Sequence, residues 1–112
     1  MKAAGGDGGG MWLKLPYDFM ENETMRGLSP ACLKLYIHCL LSASRKNRVV
    51  DGEPVAKGAF ISSVRQLERD TGISHATVQK SLKILNEKEL ILSYSKRNGA
   101  TVIHIVDFER YL

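Results

Sequence analysis

A mainly α fold with a small antiparallel sheet is predicted by three features of this 112-residue chain. Two helix signals lie close together over residues 63–90, SVRQLERDTGISHATVQKSLKILNEKEL, joined by Gly72-Ile73-Ser74. An earlier apolar helix opens at Ser29-Pro30. A run of alternating residues flanks Asn98-Gly99, the pattern of a hairpin. In chain order this gives helix, short strand, helix, turn, helix and a hairpin with a basic tip, which is the layout of a winged helix-turn-helix.

Length and composition define one globular domain. Residues 1–10 are Gly-rich and short of apolar side chains, so they read as a flexible tail ahead of a domain spanning 11–112. A chain of this size buries roughly two-thirds of its unfolded surface. The net charge of +4 is a mild basic excess that suits nucleic acid without requiring it. Cys32 and Cys39 lie about two helical turns apart, too far for a mutual disulfide, and read as small buried hydrophobes of a reducing cytoplasm. His38, His75 and His104 lack metal-ligand spacing. No apolar run is long enough to span a membrane, and no signal-peptide core follows the start. The expectation is a cytoplasmic protein without cofactor, metal or membrane partner.

The ordered chain is expected to begin at Met11, with an extended segment over residues 12–15 closed by Pro16. Residues 17–24 (YDFMENET) suggest a brief helical turn with Phe19 and Met20 inward. Ser29 caps the first strong helix, Pro30 occupies its first position, and Leu28 and Leu33 bracket its start as a staple. Leu33, Tyr36, Ile37, Leu40 and Leu41 follow the spacing of a core-facing stripe, and Leu35 with the two cysteines widens that apolar surface, which makes the helix central. Residues 45–57 read as a polar connection turned by Asp51-Gly52 and Pro54, and residues 58–61 as a short strand. Ser63 and Gln66 form a capping box, Gly72 supplies a left-handed stop, and Ser74 caps the next helix with Ile73 and Val78 as staple. Val78, Leu82 and Leu85 face inward. Asn98-Gly99 as a two-residue type I′ turn pairs Tyr94 with Ile103 and Leu92 with Ile105, gathering those four on one face. Ser93, Ser95, Val102 and His104 fall on the other. Residues 107–112 close the domain with Phe108 and Tyr111.

The helix after Gly72 is free to enter the major groove of double-stranded DNA while the hairpin steadies the backbone. Ser74, His75 and Thr77 stand at its amino-terminus, where the dipole favours phosphates. Gln79 can pair with adenine, and Lys80 and Lys83 can meet phosphates or guanine. Lys96 and Arg97 sit at the hairpin tip. Each has a plainer reading: Ser74 is a helix cap with or without DNA, the lysines suit any solvated face, and charged hairpin tips are common. Asn86 falls on the same outward surface. Arg45, Lys46 and Arg48 read as a soluble loop. Glu68, Asp70, Glu87 and Glu89 offset the positive charge, so one copy should bind weakly and with strong salt dependence. The glycines lack the strand, lysine and helix of a phosphate-binding loop, and no catalytic group is expected.

Three stretches carry a family resemblance: WLKLPYDFM at 12–20, LKLYIHCLLSA with GAFISSVRQLERDTGIS, and the closing TVIHIVDFERYL. They resemble the amino-terminal winged-helix domains of DnaD-like primosome proteins and phage replisome organisers, over nearly all of residues 11–112. The K-L-P-x-D-F opening is the most particular part. The resemblance implies a role in initiating DNA replication in phages, plasmids or integrated elements, with self-association or replication proteins as partners. Two departures stand out. Glu68 occupies the position four before the turn glycine, usually a small alanine, which implies looser packing or a rotated helix. The second DNA-contacting domain of DnaD-like proteins is absent from the sequence, which implies a fragment or a small stand-alone member. A transcriptional regulator of the same fold and an assembly module that does not bind DNA are the alternatives.

Overall fold

The computed structural model describes residues 12–112. The Gly-rich segment 1–10 and Met11, read above as a tail and as the first ordered residue, lie outside the described residues. Four helices and two antiparallel sheets follow: α1 (Glu23–Arg26), α2 (Pro30–Ser42), β1 (Arg48–Val50), β2 (Glu53–Val55), β3 (Ala59–Ser62), α3 (Val64–Thr71), α4 (His75–Glu87), β4 (Ile91–Ser95) and β5 (Thr101–Ile105). The order α2-β3-α3-α4-β4-β5 is that of a winged helix-turn-helix, with β1–β2 added between α2 and β3.

The local signals act largely as their chemistry dictates. Ser29 Oγ accepts from Cys32 N at 3.1 Å, and Ser63 Oγ accepts from Gln66 N at 3.0 Å. Gly72 takes φ +76°, which a Cβ resists, and its N–H donates to Glu68 O at 2.8 Å. Ile73 and Val78 are both buried. The capping box is only half made, because the Gln66 side chain points along its own helix. Its Nε2 donates to Asp70 and its Oε1 accepts from Arg69, each at 2.7 Å.

Helix α2 is central, packing on α4, α3 and β5. Its buried stripe is Cys32, Leu35, Tyr36, Cys39 and Leu40. The expected stripe is therefore rotated: Leu33 and Ile37 are half-buried and Leu41 is 63% exposed. Treating the cysteines as ordinary apolar side chains recovers the observed phase, since 32, 35, 36, 39 and 40 also keep helical spacing. Burial raises the pKa of both thiols, that of Cys39 to about 12, so they remain neutral core groups.

The terminal segments pair with each other and pack on α2 at Tyr36. Phe19 is buried and packs edge-on to Tyr111, whereas Met20, expected inward, is exposed. Lys14 N donates to Tyr111 O at 2.9 Å, and the buried hydroxyls of Tyr36 and Tyr111 lie 3.0 Å apart.

The three-stranded sheet runs β3-β5-β4, all antiparallel. Its hairpin departs from the expected register by one residue: Leu92 pairs with His104 and Tyr94 with Val102. The turn is the cause. Gly99 N donates to Lys96 O at 3.1 Å, Lys96 N donates to Ala100 O at 2.7 Å, and only Gly99, not Asn98, has positive φ. This is a three-residue loop with a left-handed glycine rather than a type I′ turn. The shift reverses β4 alone: Ile91 turns inward, and Leu92 and Tyr94 turn outward beside Val102 and His104. The type I′ geometry occurs instead at Asp51-Gly52, φ +50° and +78°, which joins β1 to β2 where the sequence suggested only a polar connection.

Candidate nucleic-acid interface

Helix α4 buries Val78, Ser81, Leu82 and Leu85. His75, Ala76, Gln79, Lys80, Lys83 and Glu87 are exposed, and at 3.6 residues per turn they form one continuous face. Among the described residues, no carboxylate lies within 4.0 Å of the Lys80, Lys83 or Arg97 side-chain nitrogens.

The other expected contact residues are more engaged. Ser74 Oγ accepts from Thr77 N at 3.4 Å and donates to Thr77 Oγ1 at 2.9 Å. Ser74 is thus a working cap, and Thr77 is half-buried with its own hydroxyl hydrogen still free to donate. His75 Nδ1 lies 3.6 Å from Glu68 Oε1, so the carboxylate at the unusual position reaches over the turn to the start of α4. Lys96 is not a free tip cation: its Nζ pairs with Glu53 on β2, binding one hairpin to the other. Arg97 is exposed at the tip. Of the three loop cations, Arg45 donates to Trp12 O at 3.2 Å, Lys46 is exposed, and Arg48 begins β1 and lines the same cleft as Lys96.

Asn86, placed by the sequence on the open surface, is half-buried and fixes the hairpin to α4. Its Nδ2 donates to Leu82 O and Ser93 Oγ, both at 2.8 Å, and its Oδ1 accepts from Ser93 N at 2.9 Å. Only the register of β4 shows this, since Ser93 must face inward. Asn86→Ala leaves the Ser93 N–H unpaired and is expected to destabilise the domain by about 1–3 kcal/mol in urea unfolding. A change below about 0.5 kcal/mol would show that water replaces the amide.

Ser42, His38 and Asp70 superficially resemble a catalytic trio. Ser42 Oγ (3.3 Å) and Asp70 Oδ2 (3.7 Å) both approach the same ring nitrogen, His38 Nε2, and Ser42 donates to His38 O at 2.8 Å. A triad needs the two partners on opposite nitrogens, so the group links α2 to α3 instead. Burial lowers the His38 pKa, with Asp70 opposing. Protons then favour the unfolded chain. Stability is full above the unfolded-state value near 6.5 and is lost as pH falls through the lower folded-state pKa. From about pH 7.5 to pH 5 the urea midpoint of the wild type should drop further than that of His38→Gln. Equal drops would assign the acid sensitivity to other groups.

Among the described residues, no group of three or more His, Cys, Asp or Glu is placed to hold a metal ion, and no helix is long and apolar enough to cross a membrane.

A glycine-stopped helix, a serine-capped second helix with a solvent-facing polar side, and a hairpin anchored to it define the winged helix-turn-helix class. The profile of the Firmicute plasmid replication protein (RepL) family matches residues 48–106, from β1 through β5. The match covers more than half of the chain, which belongs to this replication-related family. No curated protein and no solved structure matches it.

Proposed function

We propose that the domain binds double-stranded DNA as a replication-initiation module, with α4 in the major groove and the β4–β5 hairpin on the adjoining backbone. The exposure of Gln79, Lys80 and Lys83 on one face of α4, with both lysines clear of the carboxylates of the described residues, carries this reading. His75, with Ser74 and Thr77, meets phosphates or base edges at the helix start. Gln79 reads adenine, Lys80 and Lys83 neutralise phosphates or approach guanine, and Arg97 holds the second backbone contact with Lys96 behind it. The mechanism is binding without catalysis.

Family membership favours replication over transcription. Kinship with DnaD-like phage and primosome proteins rests on the K-L-P-x-D-F opening and α2, upstream of the matched residues, together with the stretches GAFISSVRQLERDTGIS and TVIHIVDFERYL. A second reading, assembly with a second copy or another replication protein, is favoured by exposed Trp12, Leu15, Tyr17 and Leu41. The test is a salt-varied titration of duplex DNA with the wild type and Lys80→Glu/Lys83→Glu. DNA binding requires weaker affinity and a shallower salt slope in the variant. Indifference of both proteins to DNA, with self-association abolished by Trp12→Ser/Leu41→Ser, would establish the assembly reading instead.

A further inference from the structure

The structure contains a second polar-aromatic surface that α4 does not line. A cleft of about 320 Å³ lies between the β1–β2 hairpin and the outer face of the three-stranded sheet. The register builds its floor, because directly paired residues point to the same side. Ile61, Val102 and Tyr94 form one row across the sheet, and Ala59, His104 and Leu92 form the next. The added hairpin covers the β3 side of these rows, where Ala59, Val55 and Val102 are buried. The β4 side stays open, with Tyr94 53% and Leu92 62% exposed.

Tyr94 and His104 stack, their ring centroids 6.1 Å apart and planes inclined by 25°. Arg48 and Lys96 line the same cleft as this pair. Lys96 is neutralised by Glu53, whereas no carboxylate lies within 4.0 Å of Arg48 among the described residues. An unpaired guanidinium in the same cleft as an open aromatic stack suits a ligand with both a flat π-face and a negative charge. Nucleobase and phosphate together have that chemistry. In a duplex the base faces are covered by their neighbours, so only an unstacked base can lie on Tyr94. The volume stands near the small end of ligand sites, which begin at about 300 Å³.

We propose that this cleft holds a base of single-stranded DNA, stacked on Tyr94–His104, with its phosphate toward Arg48. The site is separate from the α4 interface. An origin-binding protein with both would hold duplex on one surface and a melted strand on the other.

The test is fluorescence anisotropy with labelled oligo(dT) of about 15 nucleotides and, separately, a mixed-sequence duplex. Tyr94→Ala should weaken oligo(dT) binding by about 5-fold or more, the loss expected for one base–aromatic stack, and leave duplex affinity within about 2-fold. Tyr94→Trp should restore it, and Arg48→Ser should weaken oligo(dT) binding with a shallower salt slope. Lys80→Glu/Lys83→Glu should impair the duplex far more than the single strand. The proposal is overturned if oligo(dT) does not bind, if Tyr94→Ala leaves its affinity unchanged, or if the α4 variant weakens both ligands equally. It is also overturned if thymidine monophosphate binds as tightly as oligo(dT), or if oligo(U) binds more tightly. Loss of duplex binding alone would bear on the groove-reading function and leave the cleft standing.

Discussion

Reversing the charges of Lys80 and Lys83 is expected to weaken duplex binding by about 200-fold or more at roughly 50 mM monovalent salt, and by only about 20-fold at roughly 200 mM. The figures follow from counterion release. Each phosphate contact contributes about −0.9 to the slope of log affinity against log salt, so two contacts remove about 1.8. Relative to a reference near 1 M, that slope is a factor of about 200 at twenty-fold lower salt and about 20 at five-fold lower salt. Both lysines are exposed and make no ion pair among the described residues, so their loss leaves no buried partner unsatisfied and folding should be unaffected. The control is the same reversal at Lys14 and Lys34, also exposed but on the leading segment and α2. It changes net charge equally while leaving α4 intact. Equal losses in the two variants would mean that the domain's overall charge governs binding. A salt slope unchanged from the wild type would remove α4 from the interface.

What the sequence disclosed and what it concealed divide along the distance over which each interaction acts. Serine caps, the Gly72 stop and the Ile73–Val78 staple are settled within a few residues, and each stands where the residues place it. The hairpin register was ambiguous because Asn-Gly suits both a two-residue turn and a three-residue loop with a left-handed glycine. Packing decides between them, since Ile91 rather than Leu92 fills the core. The apolar character of Leu92 and Tyr94, which argues for the other register, belongs to the outer face of the sheet, where both are exposed. Tyr94 was therefore missed as a candidate site residue. The β1–β2 hairpin was hidden for a related reason. Its exposed strands show little apolar alternation, and Asp51-Gly52 was recognised as a turn without its flanking strands. At the candidate interface, the exposed lysines of α4 could be located by helical period alone. The pairing of Lys96 with Glu53 joins residues 43 positions apart, and no local pattern announces it. Asn86 differs again: its role became legible only once the facing of Ser93 was fixed.

Leu67→Ala is expected to destabilise the fold by about 2–5 kcal/mol, the range for removing a fully enclosed leucine. Leu67 is 0% exposed. Helix α3 is short, its apolar side chains are Leu67 and the half-buried Val64, and its buried residues are Leu67 and Thr71. Eight residues do not hold a helix in water without tertiary packing, so Leu67 is the main apolar anchor between α3 and the core. Thr71 cannot replace it. Its hydroxyl already donates to Leu67 O at 2.7 Å and accepts from Ile73 N at 3.1 Å, bracing the turn into α4. Truncation therefore weakens the helix and loosens the lead-in to the proposed recognition helix together. At about 4–8 °C per kcal/mol for a domain of this size, the unfolding temperature should fall by roughly 8–40 °C. Arg65→Ala, an exposed change on the same helix, should stay within about 0.5 kcal/mol. Urea unfolding separates the possibilities. A lower midpoint with unchanged slope means loss of packing in an otherwise intact fold, whereas a reduced slope means that α3 is already detached in the folded state. A Leu67→Ala loss below about 1 kcal/mol would show that α3 is held by its polar links to α2, His38–Asp70 foremost, and would overturn the apolar anchor.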